Sequence, residues 1–356
     1  MEYVRSLAYV NVSNLLNNVR NIHNYVNKKI FAVVKADAYG HDAEIVSKVL
    51  EPLDYVEIFC VATAYEGYLL RKSGIKKPIL VLGGVLKEEV DIFNDFNLTP
   101  VVSDFYHLEV VKKLKRNTVH IKFDTGMRRL GFYLSEVDKL KNHLNDLTVE
   151  GVLSHFPSAD SDRDYTLNQI LEFKKVLYTL NIKPKYIHIQ NSAGIVYECP
   201  FCNAVRVGLA IYGEKPTVDY PVELKPVMSI VSKVVSLKKV KKGDKISYNG
   251  TFKAEKDMKV AVVAFGYADG LPRALSNKGY VIINEQKCRI LGNVTMDMVV
   301  VDVSHLNEVN VGDSVIIVGK SGNEEITFSD IANISGTIPY EIMCGISKRV
   351  LRKEVR

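Results

Sequence analysis

The strongest constraint on the fold is an alternation of apolar, β-prone runs with amphipathic stretches over the first 213 residues. Eight runs are rich in Val, Ile and Phe, and between them lie segments whose apolar residues recur every three to four positions. Such an alternation is typical of a parallel sheet that is buried on both faces. The expected strands are 30–35, 56–62, 78–82, 99–103, 118–124, 149–156, 186–190 and 204–211.

Eight βα units in this length predict a closed barrel. An open doubly wound sheet usually carries a G-x-G-x-x-G pattern after its first strand, whereas the first strand here is followed by KADAYG (35–40). We therefore predict an α/β protein whose N-terminal (β/α)8 TIM barrel occupies residues 1–220.

The pattern changes after about residue 220, where short β-rich runs are separated by Gly-Asp and Asn-containing turns. Pro216, Pro221 and Pro226 mark the change. Few helical stretches separate these runs, which predicts a C-terminal, mostly antiparallel β domain at residues 221–356.

Composition narrows the class of protein. In 356 residues, 47% hydrophobic and 25% charged residues are typical of a globular protein with a core and exclude disorder as the main state. The net charge of +6 is mild and spread along the chain, so we expect no nucleic-acid partner. No apolar run approaches the ~18–20 residues of a membrane span, and the start lacks the apolar centre of a signal peptide. We therefore expect no membrane partner and a cytoplasmic location.

The five cysteines are an odd number, as expected of reduced thiols in a long chain. The CPFC pair (199–202) has no second pair to complete a zinc site. We interpret these residues as free thiols and expect no bound metal.

Polar residues follow or end several of the expected strands, where a parallel barrel places its working side chains. They are Lys35, Lys122, Asp124, Arg129, Ser154, His155, Asn191, Ser192 and Arg206. A lysine in the mouth of a barrel loses hydration, which disfavours the ammonium and frees the amine for Schiff-base chemistry. A lone barrel lysine more often reaches solvent, so its neighbours decide between the two interpretations.

Nine short motifs then occur in order along the chain. They are AVVKADAYGH (32–41), KFDTGMRRLG (122–131), SHF (154–156), QNSA (190–193), VRVGLAIYG (205–213), ISYNGT (246–251), GYADG (266–270), TMD (295–297) and TIPYE (337–341). Together they make the chain similar to the alanine racemase family of fold-type III, pyridoxal-phosphate-dependent enzymes over nearly its whole length. The resemblance implies pyridoxal 5'-phosphate as cofactor and interconversion of L- and D-alanine, which supplies D-alanine for peptidoglycan.

The resemblance also implies roles for individual residues. Lys35 matches the lysine that holds the cofactor, and with Tyr248 it matches the pair of bases that act on opposite faces of the substrate. In the family this tyrosine reaches the active site of the other subunit, so the resemblance implies a homodimer with composite sites. Arg206 matches the arginine at the pyridine nitrogen, where a permanent cation disfavours protonation. The implied cofactor contacts are Lys35, Tyr39, Arg129, His155, Asn191, Ser192, Arg206, Gly208, Leu209 and Tyr340.

The implied substrate contacts are Arg129, Tyr267, Met296 and Asp297, and Lys122 matches a lysine that is often carbamylated. The chain departs from the common pattern at Asp42, Arg128 and Thr295. These departures leave a broader amino-acid racemase open, for example one that accepts serine. A non-catalytic pyridoxal-phosphate-binding protein is a further alternative, although the single-barrel proteins of that kind lack the second domain. A basic amino-acid decarboxylase shares the architecture, but we find no Gly-Gly-Gly phosphate loop.

Overall fold

A barrel of eight parallel strands dominates one of the two compact units of the computed structural model, which describes residues 5–356. This unit comprises Leu15–Ala38 and Ala43–Leu224. The first seven strands pair in the order of the chain, and the eighth pairs with the first. The strands are Lys29–Val33, Val56–Val61, Ile79–Val81, Thr99–Val102, Thr118–Lys122, Thr148–Leu153, Tyr186–His188 and Ala204–Val207.

The barrel is closed to within a few hydrogen bonds. Ile30 of the first strand lies opposite Val205 of the last in a parallel ladder. Between the seventh and eighth strands, the Asn203 N–H donates to the Ile187 carbonyl at 3.1 Å, and the Arg206 N–H donates to the Gln190 carbonyl at 2.9 Å. The predicted (β/α)8 barrel is confirmed.

Helices follow the barrel strands as the periodicity predicts, and an unpredicted one precedes the first strand. They are Val12–Val26, Ala43–Leu50, Ala64–Lys72, Val90–Asp95, Phe105–Val111, Val137–Lys141 and Arg163–Leu180. The helix Ala64–Lys72 begins with a reciprocal cap, in which Thr63 and Glu66 each accept a backbone N–H of the other. Within residues 5–356, no helix combines the length and hydropathy that crossing a bilayer requires.

A nine-stranded, mostly antiparallel sheet forms the second unit, which comprises residues 5–14, Tyr39–Asp42 and Lys225–Arg356. Its strands are Leu7–Asn11, Met228–Val240, Met258–Val263, Tyr280–Ile283, Gln286–Leu291, Val299–Asp302, Ser314–Ser321, Glu324–Ile326 and Leu351–Val355. A short ribbon (Lys245–Ile246 with Phe252–Lys253) and two helices (Phe328–Ser335 and Pro339–Gly345) complete the unit. The predicted antiparallel character is confirmed, and the division of the chain at residue 220 stays a prediction.

Both ends of the described chain belong to this second sheet, which the sequence pattern did not indicate. The strand Leu7–Asn11 pairs antiparallel with Met228–Val240 and parallel with Leu351–Val355. Ala8 and Val10 are fully buried and alternate with half-buried residues, so this strand presents one apolar face. The basic C-terminal run forms an edge strand, where charged side chains oppose further pairing.

Several barrel strands end two or three residues earlier than predicted. The first ends at Val33, the fifth at Lys122 and the sixth at Leu153. The residues beyond these ends form the loops at the carboxyl end of the barrel, although the N–H groups of Val34, Phe123 and Ser154 still donate to the neighbouring strands. Most of the polar residues singled out from the sequence lie there.

Candidate active site

Lys35 follows the first barrel strand and opens a left-handed turn. Residues 36–39 have φ angles between 51° and 54°, although none is glycine. This conformation costs about 1–2 kcal/mol per residue. Glu66 helps to hold it, because its Oε1 accepts the Ala36 N–H at 2.8 Å. Backbone strain that is maintained in this way is typical of functional sites.

Lys122 lies within electrostatic range of three other basic residues of the barrel unit, and the four form a cationic cluster. Burial, reinforced by Arg206, Arg129 and Lys35 and opposed by Asp124, lowers the pKa of the Lys122 ammonium to about 8. Lys122 is only 7% exposed. The cluster favours anionic groups, and it leaves Lys122 partly as a neutral amine near physiological pH.

Arg206 projects from the eighth barrel strand and is 4% exposed. Its Nη1 donates to His188 Nδ1 at 2.7 Å and to the His188 carbonyl at 2.9 Å. Its Nη2 donates to the Ser154 carbonyl at 2.6 Å and to His155 Nδ1 at 3.0 Å. Burial and the cationic neighbours hold the pKa of His155 well below its usual value, so this ring is neutral and accepts.

One donor of Arg206 is not used within the protein. Its Nε–H has no acceptor among residues 5–356, whereas both terminal nitrogens are bonded. A donor that the protein leaves unused on a side chain that is 4% exposed is available to a ligand atom that accepts a hydrogen bond. An aromatic ring nitrogen without a proton meets this requirement.

A second cradle of donors lies at the turn after the same strand. Ser192 Oγ accepts the N–H of Gly208 at 3.1 Å and that of Ala210 at 3.3 Å. The N–H of Leu209 between them donates to no residue in the described part of the chain. Ser192 and Leu209 are each 4% exposed. Serine hydroxyl and backbone N–H groups at the start of a helical turn suit a phosphate.

Asn191 braces its own loop. Its Nδ2 donates to the Phe156 carbonyl at 3.0 Å, and its Oδ1 accepts the Gly194 N–H at 2.8 Å. This side chain therefore positions the segment that carries Ser192. The second N–H of Nδ2 donates to no residue of the described chain, and the expected cofactor contact of Asn191 stays a prediction.

In the second unit, Tyr39 and Tyr340 lie together, with ring centroids 5.7 Å apart and an interplanar angle of 44°. Tyr39 is 8% exposed. The adjacent Gly40 has no room for a side chain, because a Cβ there would lie 2.3 Å from the Met343 carbonyl oxygen. The backbone at Gly40 thus fixes how Tyr39 leaves the left-handed turn.

Tyr248 lies on a strained turn of the second unit. Its neighbours Ser247 and Asn249 have φ angles of 65° and 61°. Asn293 Nδ2 donates to the Tyr248 carbonyl at 2.9 Å, and Ser247 Oγ donates to the Asn293 carbonyl at 2.7 Å. The Tyr248 side chain is 72% exposed in the single chain.

Two further loops of this unit are joined backbone to backbone. The Tyr267 N–H donates to the Thr295 carbonyl at 3.0 Å, and the Ala268 N–H donates to the Met296 carbonyl at 2.9 Å. Tyr267 and Met296 are exposed. The contact depends on Gly266, whose Cβ would lie 2.3 Å from the Met296 carbonyl oxygen.

Arg349 holds the same loops through their carboxylates. Its Nη1 lies 2.8 Å from Asp297 Oδ1, and its Nε lies 3.2 Å from Asp269 Oδ1. Asp297 is thus oriented by an arginine near the end of the chain. No motif in the sequence indicates this role for the arginine.

The Gly266→Ala substitution is expected to destabilise the protein by about 1–3 kcal/mol, since the new methyl group meets backbone oxygens that have no space to move. Chemical denaturation measures this loss. Gly345→Ala is the matched control, because a Cβ there meets nothing within 4 Å. Equal stability of the two variants would contradict the close approach at Gly266.

Sequence reasoning missed other residues of the site: Glu66, His120, His188 and Asn293. A signal for two of them existed, because His120 and His188 interrupt the apolar runs of two barrel strands. Glu66 and Asn293 act on backbone groups distant in sequence, and no local pattern marks them.

Comparison with family models gives two matches that cover most of the chain. The model described as "Alanine racemase, N-terminal domain" matches residues 10–216, and "Alanine racemase, C-terminal domain" matches residues 227–354. The alanine racemase of Aquifex pyrophilus is 46% identical over 352 residues, with 99% of each chain covered. That of Aquifex aeolicus is 45% identical over 350 residues, with 98% of each covered.

Solved structures of alanine racemases are similar to this chain over nearly its whole length. The alanine racemase from Bacillus anthracis with bound L-Ala-P has a TM-score of 0.91 at 35% identity, covering 100% of this chain and 96% of that one. The alanine racemase from Bartonella henselae with covalently bound pyridoxal phosphate has a TM-score of 0.90 at 28% identity, covering 99% and 100%.

Proposed function

Because this chain belongs to the alanine racemase family, we propose that it interconverts L-alanine and D-alanine with pyridoxal 5'-phosphate held at Lys35. The observation on which this proposal rests most directly is the buried Arg206. Its Nε–H has no acceptor among the described residues, and it lies within electrostatic range of the same cationic cluster as Lys35. We further propose that the product D-alanine supplies peptidoglycan and that the enzyme works in the cytoplasm.

The donors of the barrel unit fit this cofactor. The Arg206 Nε–H suits the pyridine nitrogen, and the Leu209 N–H with the Ser192 hydroxyl suits the phosphate. Gly208, Tyr39 and Tyr340 complete the phosphate contacts in the proposal. His155 orients Arg206 through Nδ1 at 3.0 Å. When bound, pyridoxal phosphate supplies an electron sink that makes the α-proton of an amino acid acidic.

Racemisation requires a proton carrier on each face of the α-carbon. In the proposal Lys35 Nζ serves one face and Tyr248 Oη serves the other, each removing a proton in one direction and returning it in the opposite direction. Arg129 and the backbone N–H of Met296 bind the substrate carboxylate. Tyr267 narrows the pocket toward a methyl side chain, and Arg349 holds the Asp297 loop in place.

Two copies of the chain are needed in this proposal. Tyr248, Tyr267 and Met296 are 72%, 45% and 53% exposed in the single chain. Exposed aromatic and Met side chains of this size are enriched at protein interfaces. We propose a homodimer in which Tyr248 of one copy completes the site around Lys35 of the other.

A chiral assay tests the proposed reaction. Purified protein supplied with pyridoxal phosphate should convert L-alanine to a mixture of both enantiomers. The same assay with L-serine and other L-amino acids measures the breadth of substrates. Failure to racemise any amino acid would refute the proposal. Equal rates with alanine and serine would show a racemase of broader substrate specificity.

Lys122 is proposed to react with carbon dioxide to form a carbamate. The ammonium first loses a proton, and the neutral amine then attacks CO2. A C–N bond forms and a second proton is released from the nitrogen, which leaves an anionic carbamate that pairs with Arg129. Because the pKa of Lys122 is about 8, the reactive amine increases as pH rises through 8.

At constant dissolved 13CO2, a carbamate 13C signal is therefore expected to grow between pH 7 and 9 more steeply than the amine fraction alone, because carbamate formation itself also releases a proton. Lys122→Arg is the matched control, since it keeps the cation without a reactive amine. A carbamate signal of equal size in that variant, or none in the native protein, would rule out the assignment.

A further inference from the structure

Arg206 is a buried cation without a carboxylate partner. No carboxylate oxygen within residues 5–356 lies within 4.0 Å of its nitrogens, and its acceptors are backbone carbonyls and the rings of His155 and His188. Burial lowers the pKa of Arg206 to about 10. Burial of an unpaired guanidinium costs free energy unless an opposite charge beyond its direct contacts stabilises it.

The chemistry of arginine fixes the direction of the hydrogen bonds that start from it. A guanidinium has donors only, so His188 Nδ1, 2.7 Å from Arg206 Nη1, carries no proton and accepts. A neutral His188 then carries its proton on Nε2, which lies 3.0 Å from His120 Nδ1. His120 Nδ1 must therefore accept, and the His120 proton lies on Nε2.

The sequence of bonds ends at a carboxylate. His120 Nε2 is buried and has no hydrogen-bond partner in the described structure, and it lies 3.7 Å from Glu150 Oε2. A shift of well under 1 Å closes this distance to hydrogen-bond length. Burial keeps the pKa of both imidazoles low, to which Arg206 also contributes, so both rings are neutral. Glu150 itself is partly exposed and lies 3.8 Å from Lys185.

We propose that His188, His120 and Glu150 form a positioning chain for Arg206, in which the glutamate is the remote counter-ion and two neutral, Nε2-protonated imidazoles connect it to the guanidinium. The chain occupies Arg206 Nη1 from within the barrel, and His155 and carbonyl groups occupy Nη2. This leaves Nε–H as the donor for a ligand. None of the three residues touches the reacting atoms. Their effect on turnover rests on the proposed role of Arg206 at the cofactor, whereas the proton positions do not.

Nuclear magnetic resonance of the holoenzyme tests the proton positions directly. With 15N-labelled histidine, long-range 1H–15N correlations distinguish the two neutral tautomers from the cation. We expect His188 and His120 both to be neutral and protonated on Nε2, with His120 assigned by the loss of its signals in His120→Asn. A proton on Nδ1 of His188, or an imidazolium at either position, overturns the proposal.

Kinetics of Glu150→Gln test the function of the chain against a closely matched control. Glu57 is a second carboxylate near Lys185, and its side chain is 24% exposed, against 25% for Glu150. Its carboxylate contacts Tyr186 and Lys29, but neither His188 nor His120. We expect Glu150→Gln to lower kcat about tenfold, with KM within about twofold, and to shift the absorption band of the bound cofactor. Glu57→Gln should change neither.

A double-mutant cycle tests whether Glu150 and His120 act on Arg206 through the same series of hydrogen bonds or affect the enzyme independently. The Asn side chain in His120→Asn places an acceptor near the former Nδ1 but does not reach Glu150. We expect this variant to resemble Glu150→Gln, and the double variant to lose little more than either alone. The proposed positioning chain would be overturned if Glu150→Gln and Glu57→Gln had equal kcat values. It would also be overturned if the two fold-losses of kcat multiplied in the double variant. If the wild-type enzyme does not racemise alanine, the proposed function fails. The tautomer measurement still shows whether the proposed positioning chain exists.

Discussion

Replacing Lys35 by alanine is expected to lower racemisation by at least about 10⁴-fold, because in the proposed mechanism this side chain both holds the cofactor and moves a proton. Production of D-alanine from L-alanine measures the loss. Borohydride reduction of the native enzyme, followed by peptide mapping, should place the cofactor on Lys35. In the variant no peptide should carry it.

The exposed Lys76 provides the control, since Lys76→Ala removes the same side chain away from the cationic cluster. That variant should retain the native rate and the native labelling pattern. Labelling of a different lysine in the unsubstituted enzyme would mean that Lys35 has been assigned the wrong role.

Replacing Tyr248 by phenylalanine is expected to reduce kcat by about 10²–10⁴-fold while the cofactor stays bound, because the change removes only the oxygen that carries the proton in the proposed mechanism. In D2O, one enantiomer of alanine should still exchange its α-hydrogen through Lys35, and the other should not. Tyr280→Phe, at a 44% exposed strand residue of the same unit, should behave as the native enzyme. Exchange of both enantiomers at native rates would exclude the two-base mechanism.

The two variants together test the shared site. When Lys35→Ala and Tyr248→Phe chains are co-expressed, a mixed dimer has one site with both defects and one with neither. Random pairing should restore about a quarter of the native activity, as expected of a two-fold symmetric dimer. No recovery from stable mixed dimers would show that both side chains of a site come from one chain.

The barrel was predictable because its signal is local and repeated: each strand is a short apolar run, and the helical stretches between these runs have their own period. Lys35 and Arg206 were predictable for the same reason, since position relative to a strand places a side chain. The resemblance supplied the roles of Tyr248 and Met296, because neither has a local feature that indicates chemistry.

What the sequence did not indicate depends on contacts across the fold. His120 and His188 lie 68 residues apart and meet only because two strands of the barrel approach each other. The left-handed turn after Lys35 contains no glycine, so composition gives no sign of it. The prediction of the second unit was incomplete for the same reason, because the strand Leu7–Asn11 pairs with Leu351–Val355, which lies far away in the sequence.

That pairing has a consequence for biosynthesis. Leu7 lies beside Leu351, so the strand Leu7–Asn11 acquires this neighbour only after the barrel and most of the second sheet have been synthesised. The barrel has all of its strands much sooner, since the last of them ends at Val207. The second sheet is therefore completed only after every strand of the barrel has been made.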